Sequence, residues 1–249
     1  IIAVDLLNLF HVAGVLISSG IKDLLIEKPG GSEIKEINAL ADLGESLGVN
    51  IYIAYNRRFY SSALKAKEII RKDGGVSSFS FEFTEWSEKI EALKLHEQIN
   101  NNWALCNSSH VIDLAFYLCG CPREIEAKTS GEDLLSWHPK ASIFYGVGET
   151  TDNIIFNYKA NWAGPGRWGV EIITKRRKLL LQPLEELKVN EINSLEIMDI
   201  PIDDRLDKLY KPGLYLQTKS FINNKTKDLC KIREQKESME FFKIITGYS

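Results

Sequence analysis

Asp23-Leu24-Leu25-Ile26-Glu27-Lys28-Pro29 and Asn50-Ile51-Tyr52-Ile53-Ala54-Tyr55-Asn56-Arg57-Arg58-Phe59 decide the fold. Each is a short, almost continuous apolar run that ends abruptly in charged residues, the pattern of a strand buried on both faces of a parallel sheet. Between them Ile34, Ile37, Leu40, Ala41 and Leu47 recur at helical spacing, with Ser32 placed to cap the start and Gly48 to close the end. Strand, helix and strand in this order predict a right-handed crossover and parallel pairing. Working outward, Ile1-Ile2-Ala3-Val4 reads as a further buried strand, Leu6 to Ser19 as a helix stopped by Gly20, and Ser61 to Arg71 as another helix.

The period changes after Asp73-Gly74-Gly75. Val76-Ser-Ser-Phe79-Ser-Phe81-Glu-Phe83 alternates apolar and polar residues, which predicts an antiparallel strand with one wet face. Beyond it Ser109 to Leu118 reads as a helix, and Ser142–Tyr145, Asn153–Asn161, Gly169–Thr174 and Lys178–Leu181 read as strands. Lys236 to Thr246 reads as a terminal helix, while Glu185 to Gly213 follows no clear period. The expected fold class is α/β plus α+β: a partial Rossmann-like parallel sheet over residues 1–74, then a mainly antiparallel open-sheet domain over 75–249.

Composition bounds the function. A chain of 249 residues, 44% hydrophobic and 26% charged, is long enough to bury a large core and too apolar to be disordered. Its 31 basic and 34 acidic side chains leave a net charge of −3, without the cation excess that neutralises a phosphate backbone, so nucleic acid is not an expected partner. Leu6 to Ile21 is apolar but holds Asn8 and His11, lacks a basic flank and falls short of the ~20 residues of a membrane span. Cys106, Cys119, Cys121 and Cys230 read as free thiols acting as small buried hydrophobes in a reducing cytoplasm, because Cys119-Gly-Cys121 is too close for a zinc knuckle and has no second pair. No metal site is expected.

Three places carry chemistry. Lys28 and its neighbour Glu27 sit just past the end of a parallel strand, where open α/β sheets hold ligands; a lysine there can bind a hydroxyl and help remove its proton. His110 and Asp113 are spaced i, i+3 on one helix face, so they can share a proton, and imidazole titrates near neutrality. Asn56, Arg57 and Arg58 end the second parallel strand on the same sheet edge; each arginine can either grip an anion bidentately or tie down a domain interface. The one GxGxxG match, Gly164 to Gly169, is followed by a strand pattern rather than a helix and is rejected as a phosphate cradle, though Arg167 and Trp168 are expected to be exposed and able to touch a substrate. Lys175-Arg-Arg-Lys178 reads as a solvated turn, and His11, His96 and His138 lack partners comparable to that of His110.

Taken in order, Glu27-Lys28-Pro29, Asn56-Arg57-Arg58-Phe59, Ser109-His110-Val-Ile-Asp113 and the antiparallel second half resemble the Gfo/Idh/MocA family of NAD(P)-dependent oxidoreductases over nearly the whole chain. Gly164 to Leu187, with Arg-Trp-Gly and Gln182-Pro-Leu-Glu185, is similar to members of bacterial surface-polysaccharide and sugar-nucleotide pathways. The resemblance implies hydride transfer between NAD or NADP and a sugar or sugar nucleotide, in a cytoplasmic homo-oligomer that pairs through its open sheet. Lys28 would be the active-site lysine and His110 the acid/base histidine; Glu27, Lys28, Asn56 and Arg57 would face the cofactor, and Asp113, Arg167 and Trp168 the substrate. The Asp that the family carries four residues before the histidine is Cys106 here. The family's Gly-rich opening is not in this sequence, so the chain is expected to be a fragment. Two other readings follow from the same residues: a non-catalytic sugar-binding scaffold, and an NAD-dependent hydrolase or epimerase that oxidises its substrate transiently.

Overall fold

A computed structural model of the chain describes residues 1–248. In chain order its helices are α1 (Leu9–Ser18), α2 (Ile34–Leu47), α3 (Ser61–Lys72), α4 (Ser87–Ala92), α5 (Glu97–Asn101), α6 (Ser109–Cys119), α7 (Arg205–Leu209), α8 (Leu214–Ile222) and α9 (Ile232–Thr246). The strands are β1 (Asp23–Glu27), β2 (Asn50–Ala54), β3 (Val76–Glu82), β4 (Pro122–Ser130), β5 (Ile143–Thr150), β6 (Ile155–Asn161), β7 (Gly169–Thr174), β8 (Arg177–Leu181), β9 (Lys188–Glu191), β10 (Ile197–Asp199) and β11 (Cys230–Lys231).

Two sheets organise them. The small sheet has the order β1-β2-β11, with β1 and β2 parallel in the register Leu24↔Ile51 to Glu27↔Ala54. Helix α2 makes the crossover between them, and Gly48 ends it in the left-handed conformation at φ 61°. Its start differs from expectation: Glu33 is the cap residue, and the Glu36 carboxylate accepts from both the backbone N–H and the hydroxyl of Ser32 at 2.7 and 2.9 Å. The expected N-terminal strand reduces to a single bridge between Ile2 and Ile26, because Ile2 alone of that run is buried.

The large sheet has the order β10-β9-β8-β7-β3-β6-β5-β4. Its alternation is clean in β6, where Phe156, Tyr158 and Ala160 face the core and their neighbours face solvent. Strand β3 is a correction: it is central, antiparallel to β7 as expected but parallel to β6, a pairing that alternation cannot reveal. Helix α6 covers one face, its Phe116 ring edge-on to Phe79, Phe81 and Phe156 with centroids 6.0, 5.5 and 5.3 Å away.

The chain does not leave the small sheet for good at Gly74. Strand β11 returns to it, pairing Cys230 with Ile53, and α9 then packs on α2 and on β4, fastening one sheet to the other. Four tips meet in that arrangement: the ends of β1 and β2, the start of α6, and the loop after β3.

Candidate active site

Lys28 follows β1 directly. The tight path beyond it requires Gly30, which has φ 97° and whose missing Cβ would lie 2.7 Å from Cδ1 of Ile53. The Lys28 ammonium donates to the carbonyl of Cys106. That carbonyl belongs to a π-helical turn, Ala104–Ser108, immediately before α6; such turns loosen the regular ladder and frequently mark functional sites. The turn is fixed from two other sides. The Ala104 N–H donates to the Tyr248 hydroxyl, which itself bonds Nε2 of His138 at 3.0 Å, while Asn107 and Ser108 donate to Glu85 at 3.0 and 2.7 Å.

His110 is the second residue of α6 and is 4% exposed. Its Nε2 is 2.7 Å from NH1 of Arg57, a group that can only donate, so Nε2 is the acceptor and the neutral ring carries its proton on Nδ1. Burial holds His110 well below the usual imidazole range, and the positive charges of Lys28, Arg57 and Lys211 push in the same direction. Burial likewise pushes Lys28 down to about 8, opposed in part by Glu27 and reinforced by Arg57. Glu27, half-buried at the mouth, is raised by burial against the pull of Lys28, Lys211 and Arg57. Arg57 thus acts on both Lys28 and His110, and Lys28 acts on His110, which ties the three into one electrostatic unit. Cys106 supplies no charge to it, since burial pushes its thiol up to about 12.

Arg57 and Asn56 extend this unit. NH1 of Arg57 also donates to Oδ1 of Asn56 at 2.8 Å, and Nδ2 of Asn56 donates to the Pro212 carbonyl at 2.9 Å. Gly213 at φ 71° lets that loop approach, because a Cβ there would lie 2.1 Å from the Asn56 carbonyl oxygen. The Arg57 guanidinium lies 5.7 Å from the Tyr60 ring centre and 5.5 Å from that of Trp168, and Arg167 lies 4.4 and 4.6 Å from the rings of Trp168 and Trp86.

Several expectations change. Asp113 does not pair with His110: Arg58 takes both its oxygens at 2.9 and 3.2 Å and also bonds Glu234, so the carboxylate anchors the helix to the small sheet rather than facing a substrate. Burial opposes the charge of Arg58, yet Asp113 overcomes it and holds the guanidinium well above its ordinary value. Asp113, Cys230 and Glu234 have ligand atoms within 4.8 Å of one another, but that guanidinium already sits among them. Trp168, expected to be exposed, is 5% exposed, because its indole N–H donates to Glu85. His138 has partners after all, Ala141 and Tyr248, and Cys121 is exposed where a buried thiol was expected. Arg177 in the basic run is not a free surface charge; it ion-pairs with Asp73 and Glu191.

Glu85 is the residue that sequence reasoning missed. It is 2% exposed and accepts from Asn107, Ser108, Trp168 and Arg167, joining the π turn to the cation-aromatic stack. The only signal was an acid between Thr84 and Trp86 at the end of an alternating strand.

No family model and no curated protein sequence matches the chain. Solved structures do. UDP-N-acetylglucosamine 3-dehydrogenase GnnA from Acidithiobacillus ferrooxidans matches with a TM-score of 0.73 at 15% identity over 98% of this chain and 75% of its own. Levoglucosan dehydrogenase in complex with NADH matches with a TM-score of 0.76 at 15% identity over 98% and 76%. An NAD binding oxidoreductase from Klebsiella pneumoniae matches with a TM-score of 0.72 at 16% identity over 98% and 76%. At such identities the likeness is one of fold: a small, partly parallel sheet joined to a large, mostly antiparallel one.

Proposed function

We propose that the protein is an NAD(P)-dependent oxidoreductase of the Gfo/Idh/MocA type, moving hydride between a nicotinamide cofactor and a carbon of a sugar or sugar nucleotide. One observation carries the reading: Lys28 and His110, distant in sequence, lie in a single cluster in which the charge of Lys28 disfavours protonation of His110, and Arg57 acts on both. The fold shared with sugar and sugar-nucleotide dehydrogenases supports the substrate class.

The residues present fit a polar, hydroxyl-rich cofactor. Glu27 offers a carboxylate beside Lys28 at the strand end, and Nε of Arg57, Nδ1 of His110 and Oγ of Ser109 are buried without partners among the described residues. Glu27 and Asn56 would hold the cofactor's hydroxyl and amide groups, and when bound it supplies the hydride acceptor or donor. The chain's own part is proton handling. Lys28, mostly protonated at neutral pH, donates to and polarises the substrate oxygen; neutral His110 is the base for the hydroxyl proton. Arg167 and Trp168 shape the rim.

We place the enzyme in the cytoplasm as a homo-oligomer joined through the open face of the large sheet, where Tyr145, Val147 and Ile155 are exposed side by side. Calorimetry with NAD(H) and NADP(H) tests the reading first: binding of one of them is expected, and heat with neither contradicts it. Lys28→Ala and His110→Ala should each cut turnover far more than folding stability.

A further inference from the structure

Arg57 stands apart from the other arginines around this site. Arg58 is ion-paired with Asp113 and Glu234, and Arg167 with Glu85. Among the described residues, the two hydrogen bonds of Arg57 go from one nitrogen to neutral groups, Oδ1 of Asn56 and Nε2 of His110, while its buried Nε has no partner. Its guanidinium lies over the rings of Trp168 and Tyr60, which attract a cation without neutralising it. A half-buried guanidinium without a carboxylate is costly, and its planar fork matches an oxyanion. Lys211 adds to the positive field felt by His110 and Glu27.

The hydrogen bond to His110 has a chemical consequence. Nε2 is the basic nitrogen of that ring, and its lone pair is already taken by Arg57. While that bond persists, His110 cannot receive a proton there. Any cycle that uses His110 as a base therefore needs Arg57 to move, and an anion is the ligand that would draw it.

We propose that Arg57 is a displaceable cap on His110, drawn away by an anionic group of the substrate, a phosphoryl or carboxylate borne on the sugar, so that an anionic sugar frees the base and a neutral one leaves it capped. The inference rests on the oxidoreductase reading for its purpose, but its test does not require turnover. Arg57 is here a positioning residue for His110 as well as the anion's partner.

The experiment follows the 15N resonances of His110, assigned by their loss in His110→Gln, in the protein with labelled histidine. Glucose 1-phosphate, glucuronate, glucose and NAD⁺ are added separately, and the first three again with NAD⁺ present. Release of Nε2 from its donor is expected with glucose 1-phosphate or glucuronate, the two arms separating phosphoryl from carboxylate recognition, and not with glucose. In Arg57→Met, which carries no donor, the Nε2 signal should already lie at the uncapped position, and the preference for the anionic sugar, about tenfold or more in the wild type, should vanish; Arg57→Lys should keep part of it. Equal displacement by glucose, displacement by NAD⁺ alone, an unmoved signal with every ligand, or an unchanged preference in Arg57→Met overturns the proposal. Failure of the oxidoreductase reading looks different, as absent NAD(P)(H) binding while the sugar anion still moves His110.

Discussion

Replacing Lys28 by Met should stabilise the fold while it removes the proposed chemistry, and the gain should have a defined pH profile. A lysine that titrates at about 8 instead of 10.5 carries a charge that the folded state disfavours, by roughly 3 kcal/mol at neutral pH. Part of Lys28 still touches solvent, which lessens that cost, and Met leaves the Cys106 carbonyl without its donor, a loss of about 1 kcal/mol. The net gain at pH 7 is then about 1–2 kcal/mol. The direction with pH is fixed by linkage. For a lysine lowered by folding, the stability of the neutral form is fully present above 10.5 and is lost as the pH falls through about 8. The advantage of Lys28→Met is thus complete below about pH 8 and fades as the pH rises toward 10.5. Urea unfolding of both proteins at pH 7, 8, 9 and 10 measures it, with constant m-values as the check on comparability. A difference that stays the same across that range, or a variant less stable at pH 7 than the wild type, refutes the burial argument.

Glu85→Ala strands the buried donors of Ser108 and Trp168 and the half-buried one of Asn107, and should cost about 3–5 kcal/mol in urea unfolding, with Glu85→Gln costing well under half as much; equal losses would show that the carboxylate's charge, not its acceptors, matters. Asp113→Ala leaves Arg58 with only the half-exposed Glu234 and should destabilise by about 3–5 kcal/mol, while Asp113→Asn should leave the 15N signal of His110 unmoved; a shift there would restore the His110–Asp113 pair. Ellman's reagent should find Cys121 alone reactive in the native protein and all four thiols in denaturant; fast native labelling of Cys106 would contradict its packing.

What the sequence made legible was whatever is local and periodic. The two strands of the parallel pair, the crossover helix with Gly48, the α6 helix and the loop from Gly164 into β7 all follow from spacing and flanking residues, and the structure contains them. Strand β4 escaped because it is an edge strand, so Pro122-Arg-Glu-Ile-Glu-Ala-Lys-Thr-Ser130 is polar at nearly every position and shows no buried face. The parallel pairing of β3 with β6 and the return of β11 to the small sheet are long-range choices with no local signature. At the site, helical spacing put His110 and Asp113 on one face but could not show that Arg58 reaches Asp113 first, nor that Arg57 reaches His110. Glu85 was invisible for a related reason: its role depends on Ser108 and Trp168, neither near it in the chain.

The most direct measurement of the central claim is a double-mutant cycle on hydride transfer, following deuterium from 4-deuterated nicotinamide cofactor into the sugar in the wild type, Lys28→Met, His110→Gln and the combined variant. Two groups acting on one hydroxyl predict strong non-additivity, the combined variant being about as slow as the slower single one. Losses that simply multiply, or transfer at the wild-type rate in either single variant, would show that Lys28 and His110 do not share a reaction.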